Sequence, residues 1–124
     1  MAISTYLGNK IIDHILRNQA YSPPATVYAS LHTGDPGTTG ASEVSGGPGP
    51  YARIAISLDA AAGAASSNSG VLTFSGLPAV TVTHSGLWDA ASGGNFLVGG
   101  TATNRTLVSG DSYEVPVGDA DVAF

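Results

Sequence analysis

The sequence predicts a mainly β protein, an antiparallel, jelly-roll-like β-sandwich that carries one N-terminal amphipathic helix. Between Val80 and Ser85, larger side chains alternate with hydroxyl side chains, which is the two-residue period of a half-buried strand. Turn signals rich in Gly, Pro, Asp and Ser recur about every 8–12 residues, as in sandwiches and barrels. A chain of 124 residues can bury a core of its own, so we expect a single β-sandwich domain over residues 1–124.

The first predicted element is a helix over about residues 4–18. Ser4 is a suitable N-cap, and Pro23 and Pro24 prevent the helix from continuing. The apolar residues of this helix form a broad face that must be covered. The pattern favours the protein's own sheet as the cover, and a partner protein is the alternative. The apolar residues at helical spacing are Leu7, Ile11, Ile12, Ile15 and Leu16.

The remaining chain predicts strands connected by loops. Residues 38–50 form a surface loop or an arm, and residues 59–70 form a loop because they lack large apolar side chains. Aromatic residues on the strands are interpreted as core rather than as a sugar-stacking platform; they are Phe74, Trp88, Phe96 and Tyr113. The strands are predicted at about 26–33, 51–58, 71–74, 80–88, 95–98, 101–108, 112–117 and 121–124.

The charge balance limits the classes of partner. Four Lys and Arg against nine Asp and Glu give a net charge of -5, so we expect no nucleic-acid partner. Charged residues make up 10% of the chain, whereas an average soluble domain has about 25%. This composition suits a protein that is packed against neighbours. Apolar runs are much shorter than the ~20 residues of a membrane span, so no membrane partner is expected.

The sequence lacks the common catalytic and metal-binding patterns. His14, His32 and His84 do not have HxH or HExxH spacing, and the chain has no Cys. The sequence also lacks a GxSxG elbow, a Gly-Lys-Ser/Thr phosphate loop and the EF-hand spacing. We therefore expect no enzyme activity, no catalytic residue, no metal, no cofactor and no small-molecule substrate.

Four motifs, in order along nearly the whole chain, resemble a known family. They are ISTYLGNKIIDHILRNQAY, ATVYASLHTGDPG, EVSGGPGPYAR and VTHSGLWDAASGGNFLVGG. The chain resembles the small virion structural proteins of tailed bacteriophages, whose members are often labelled tail fibre or structural proteins. It departs from their pattern at Pro48-Gly49-Pro50, which is inserted before Tyr51.

The resemblance implies a non-enzymatic building block of a phage particle, made in the host cytoplasm and assembled on the virion. The favoured interpretation is a capsid decoration or cement protein that binds the outer surface of the major capsid protein lattice and stabilises the shell. A coiled-coil or repeat shaft, which a fibre normally needs, is missing from the sequence. The alternatives are a tail-associated or tail-fibre component that contacts the host surface, and a glycan-binding module.

The expected partners are the major capsid protein and neighbouring copies of the chain, arranged as trimers. The contact residues are predicted from exposure and composition, with residues 60–69 as a second candidate loop. The predicted contacts are Asp35, Pro36, Glu43, Val44, Ser45, Gly46, Gly47, Pro48, Gly49, Pro50 and Tyr51.

Overall fold

A computed structural model describes residues 2–124 as nine strands and one N-terminal helix. Strand β1 (Ala2–Ile3) precedes helix α1 (Thr5–Ile11), which continues as a π-helical turn over Ile12–Leu16. The other strands are β2 (Val27–His32), β3 (Ile54–Ile56), β4 (Ala65–Ser67), β5 (Leu72–Leu77), β6 (Thr81–Trp88), β7 (Phe96–Thr106), β8 (Asp111–Val115) and β9 (Asp121–Ala123).

The strands form one large antiparallel sheet and two antiparallel ribbons. The large sheet has the order β1-β7-β6-β2-β3, and the ribbons pair β4 with β9 and β5 with β8. The prediction of a mainly β antiparallel sandwich with one N-terminal helix is confirmed. Its second layer consists of two separate ribbons, whereas a jelly roll has two larger sheets.

The apolar core lies on one face of the large sheet, against the β5–β8 ribbon. Leu31 of β2 and Phe74 of β5 are almost completely buried there, and the ring of Tyr51 stacks on Phe74 at 6.1 Å between centroids. A cavity of about 60 Å³ remains between the layers. The core consists of Ala29, Leu31, Val44, Ile56, Leu72, Phe74, Leu77, Val82, Leu87, Val98, Leu107 and Tyr113.

The opposite face of the large sheet is buried as well, under the long connections between strands. Ser30 and His32 of β2 are fully buried on this face, and Trp88 of β6 is 9% exposed. Gly40 in the connection after β2 lies against the Trp88 ring, where an added Cβ would approach to 2.5 Å. The connections therefore act as a third layer, and the aromatic residues predicted as core are indeed buried.

Three strand predictions differ from the structure. The predicted strand 51–58 is reduced to β3 at Ile54–Ile56, because the side chains of Tyr51 and Arg53 hold the preceding segment to Glu43. The predicted strands 95–98 and 101–108 are one continuous strand, β7, because Gly99 and Gly100 stay extended and pair with β6. Gly99 is required at this point, since a Cβ would lie 2.6 Å from Cγ of Pro36. Strand β4 lies in a segment predicted to be a loop, and it becomes a strand by pairing with β9.

The buried Asn68 explains why β4 can form without apolar side chains. Its Nδ2 donates to the carbonyl oxygens of Gly70 (2.8 Å) and Pro116 (3.0 Å), and its Oδ1 accepts from the amide of Ala120 (2.9 Å). Asn68 is fully buried, so each of these hydrogen bonds replaces a lost contact with water. One amide side chain thus fixes the turn before β9.

Helix α1 begins as predicted and then leaves its apolar face uncovered. Ser4 is the N-cap, and its Oγ accepts from the amide of Leu7 at 3.0 Å. Leu7 packs against the core, but Ile12 is 49% exposed, Ile15 67% and Leu16 75%. The expectation that the protein's own sheet covers this face is therefore wrong beyond the first turns. Across residues 2–124, helices long and apolar enough to cross a membrane are absent.

Gly86→Ala tests the close packing of the second buried face. A Cβ at Gly86 would lie 2.6 Å from Cε1 of Phe96 and 3.1 Å from Nε2 of His32. We expect a loss of about 1–3 kcal/mol in the free energy of unfolding, measured by urea denaturation. Gly70→Ala is the control, because nothing lies within 4 Å of its Cβ position. Equal stability of the two variants would contradict this packing.

Candidate functional site

The most densely connected side chain of the second buried face is Arg53, which precedes β3. Its guanidinium carbon lies 3.7 Å from the ring centroid of Trp88, so the cation stacks on the indole. Nε and Nη2 donate to the two carboxylate oxygens of Glu43 at 2.9 and 2.8 Å. Nη1 donates to the carbonyl oxygens of Ala90 (2.9 Å) and Gly93 (2.8 Å). Arg53 therefore joins the segment before β3 to two other loops.

Tyr51 completes the surroundings of the Glu43 carboxylate. Its hydroxyl donates to Oε2 of Glu43 at 2.8 Å and accepts from the amide of Leu31 at 3.1 Å. Burial alone would raise the pKa of Glu43, but the hydrogen bonds from Arg53 and Tyr51 outweigh it and leave that pKa lowered. Burial raises the pKa of Tyr51. The site therefore holds an ionised carboxylate beside a neutral phenol.

A chain of buried hydrogen bonds continues beneath the indole. Nε1 of Trp88 donates to Oγ of Ser30 (3.0 Å), and Ser30 in turn donates to Nε2 of His32 (2.7 Å). Nδ1 of His32 then donates to the carbonyl oxygen of Ala41 (2.7 Å). The carbonyl oxygen of Ala41 can only accept, so Nδ1 of His32 carries the proton, and Nε2 of the neutral ring then accepts from Ser30. Burial lowers the pKa of His32, which favours the same form.

The turn after β6 supplies the carbonyl groups that hold Arg53. Asp89 closes this turn, since its carboxylate accepts from the amide (2.7 Å) and the Nδ2 (2.9 Å) of Asn95. Gly93 and Gly94 adopt φ of +61° and +70°, which residues with side chains rarely do. The WDAASGGN motif thus forms a closed turn, and the conformation of this turn explains its Asp, Gly and Asn residues.

An open cleft of about 370 Å³ lies between this turn and the loop before β3. Its floor is the ion pair of Arg53 and Glu43, whose side chains are 8% and 21% exposed. Small residues form the rim, so the entrance is wide. The lining consists of Glu43, Val44, Ser45, Gly46, Tyr51, Ala52, Arg53, Ala91, Ser92 and Gly93.

The predicted contact residues fall into three groups, and the first, Glu43 and Tyr51, is half-buried in the network. Pro36 and Val44 are buried and support the fold from inside. Asp35 is exposed, but its carboxylate accepts from the amide of Gly37 at 2.8 Å. Residues 45–50 are exposed throughout, so their contact with a partner stays a prediction.

The Pro48-Gly49-Pro50 insertion lies against β5. The amide of Gly49 donates to the carbonyl oxygen of Gly76 at 3.1 Å, and Gly47 (φ +97°) comes so close to Gly76 that a Cβ would meet its oxygen at 2.5 Å. The loop is therefore anchored to the sandwich. Residues 60–69, the second candidate loop, contain β4 and are mostly exposed.

Sequence reasoning missed Arg53, Trp88, Ser30 and His32 as one connected site. The one signal in the sequence was that all four residues lie inside the motifs of the family resemblance. Within residues 2–124, groups of three or more His, Asp or Glu side chains that could hold a metal ion are absent. His32 and His84 are direct cross-strand neighbours, but Nδ1 of His84 is hydrogen-bonded to Oγ1 of Thr83 at 2.8 Å.

Three of the four motifs build this network, and it is these motifs that resemble the small structural proteins of phage virions. A family model described as Podophage GP4 fiber I protein gp80 matches residues 2–123, and the chain therefore belongs to this family. The suspected membership of a phage virion protein family is thus confirmed. A search of curated proteins found no match.

Breaking the buried ion pair tests how far the loops depend on it. Arg53→Met leaves the Glu43 carboxylate without its partner, and we expect a loss of about 3–5 kcal/mol in the free energy of unfolding. The double variant E43Q/R53M should lose less than the sum of the single losses. Arg17→Met is the control, since the Arg17–Asp13 pair is 63% and 41% exposed and should contribute no more than about 0.5 kcal/mol. A loss as small in R53M as in R17M would exclude a structural role for the pair.

The lowered pKa of His32 predicts a pH-dependent stability. Between this lowered value and the ordinary value of 6.5, the unfolded chain binds a proton that the folded chain does not. The free energy of unfolding should therefore fall as the pH drops below about 6.5, and His32→Gln should flatten this dependence. Urea midpoints measured between about pH 8 and pH 5.5 test it. An unchanged slope in H32Q would assign the dependence to other groups.

Below pH 4.5 a second loss of stability should follow as Glu43 takes up a proton, because its folded pKa is lowered from 4.5.

Proposed function

We propose that this protein is a tail-fibre-class component of the virion, attached to the particle by protein contacts and without enzymatic activity. The observation that carries the proposal is an uncovered apolar helix face in a chain that belongs to a fibre protein family. The buried titratable groups support a non-enzymatic role, because each of them is paired within the fold. Glu43, for example, is held ionised against Arg53 and is poorly suited to donate a proton.

The attachment surface in this proposal is the second half of the N-terminal helix. Ile12, Ile15 and Leu16 are half to three-quarters exposed and adjacent on one face. An amphipathic helix with such a face fits a hydrophobic groove on a partner. Most other exposed apolar residues, such as Val108 and Val117, are single side chains in turns, which is usual for a monomer.

A second candidate is the capsid decoration protein, bound as trimers to the major capsid protein. It is favoured by the compactness of the chain. The accessible surface is 6558 Å², close to the roughly 6,100 Å² expected for a globular monomer of this mass. A compact unit suits a clamp that is repeated on a lattice, where symmetry multiplies small contacts. Fibre assembly from such units would need many copies or a separate shaft protein.

The position in the particle distinguishes the two candidates. We would image purified virions by cryo-electron microscopy, with and without the gene for this chain. Density at the tail that disappears on deletion supports the fibre proposal. Density at regular sites across the shell replaces it with the decoration candidate, and virions unchanged by the deletion contradict both.

The double variant I15D/L16D tests the helix as the attachment surface. Both side chains are exposed, at 67% and 75%, so the free energy of unfolding should change by no more than about 1 kcal/mol. Its copy number in purified virions, measured by quantitative mass spectrometry, should fall to the background level. V108D/V117D is the matched control, since these residues are 66% and 57% exposed outside the helix. Normal incorporation of I15D/L16D would exclude the helix as the anchor.

A further inference from the structure

We propose that the cleft between the loop before β3 and the turn after β6 binds a neutral polyhydroxyl group, such as one sugar residue. The volume of about 370 Å³ lies within the range of small-molecule sites. The cleft combines a rigid polar floor with a rim of small side chains. The cleft is therefore a preformed recess, and one of its walls is the loop that the sequence predicts to contact a partner.

The floor offers a hydrogen-bond donor beside an acceptor. A guanidinium has five N–H groups, and protein acceptors within residues 2–124 take four of those of Arg53. One Nη2–H thus remains without a protein partner in a side chain that is 8% exposed. Oε1 of Glu43 accepts a single hydrogen bond and keeps a free lone pair. A donor and an acceptor on adjacent groups match the two neighbouring hydroxyls of a sugar ring.

The same network holds these groups in place before a ligand arrives. The Trp88 ring lies under the guanidinium, the carbonyl groups of Ala90 and Gly93 fix Nη1, and Tyr51 fixes Glu43. Little conformational entropy is then lost when a ligand binds, which favours affinity.

The charge of the cleft selects a neutral ligand. Arg53 and Glu43 neutralise each other through a bidentate pair, so the floor carries no net charge for a phosphate or a carboxylate. The rim disfavours a protein partner, because it lacks the large apolar or aromatic anchors on which protein interfaces depend. Its residues are Ser45, Gly46, Ala52, Ala91, Ser92 and Gly93.

The chemistry of the cleft is independent of the position of the protein in the virion. That the sugar belongs to a bacterial surface rests on the proposed fibre function. A single shallow sugar contact binds with a Kd of about 1 mM or weaker. Many copies on one particle would convert such contacts into firm attachment.

The test is a titration of the ¹⁵N-labelled full chain, followed by two-dimensional NMR, with a panel of methyl hexosides and methyl 6-deoxyhexosides. We expect at least one glycoside to shift the amide signals of residues 45–46, 51–53 and 91–93 in a saturable manner. Inorganic phosphate and N-acetylneuraminic acid should not shift them. Ser92→Trp fills the cleft from its rim and should abolish the shifts. Ser112→Trp is the control, an exposed serine that does not line the cleft.

Several results would overturn the proposal. They are saturable binding of phosphate in the cleft, shifts that persist in S92W, and the absence of cleft shifts with every glycoside. Loss of virion incorporation in S92W, without glycoside binding by the native chain, would instead assign the cleft to a protein partner. Thermal midpoints of S92W and S112W, measured by circular dichroism, verify that both fold. Because binding is measured on the isolated chain, a failure here leaves the cryo-electron microscopy test of the fibre proposal unaffected.

Discussion

The stacking of Arg53 on Trp88 is the contact on which the second buried face depends. Burial of a guanidinium is costly unless its charge and its N–H groups are matched. Here Glu43 supplies the opposite charge, and two carbonyl groups of the turn after β6 accept from Nη1. The connection between β2 and β3 and the turn after β6, about 40 positions apart, therefore meet at one cation. Each of them would lose its fixed position if the other moved, so the loops fold as part of the sandwich.

The motifs that carry the family resemblance are mostly explained by this buried layer. His32 and Pro36 belong to the second motif, Glu43 and Arg53 to the third, and Trp88 to the fourth, and all five lie inside or at the edge of the network. The shared pattern is thus a requirement of the fold, and it says little about partners. Recognition is left to exposed residues whose backbone the fold supports. Such positions are 45–50 and 91–92.

Local sequence signals predicted the parts of the fold that depend on neighbouring residues. Ser4 as the N-cap and the alternation along β6 are signals of this kind. Strand β4 could not be predicted, since it depends on Asn68 and on residues about 50 positions later. The pair of Glu43 and Arg53 was missed for a similar reason. They lie ten positions apart along a loop, and no periodicity relates their side chains.

The candidate site was therefore predicted only in part. The sequence located its loop but did not predict the side-chain interactions within it. Composition identified residues 43–51 as a surface segment, but it could not reveal that Val44 is core or that the loop is one wall of a cleft. The amphipathic pattern of the helix was also visible, whereas its missing cover was not. Periodicity shows that a face is apolar, and only the three-dimensional arrangement shows what lies against it.

The exposed helix can contribute only a limited free energy to attachment. Full burial of one Ile or Leu side chain contributes about 1.5–3 kcal/mol, and the four apolar residues beyond Leu7 are already partly covered. Association costs an estimated 4–15 kcal/mol in lost freedom. In the proposed attachment, the helix alone would therefore give at best a marginal contact, and neighbouring copies would have to supply further contacts. Attachment of this kind becomes firm only when many copies are assembled. The presence of many copies would also make weak ligand contacts at the cleft effective.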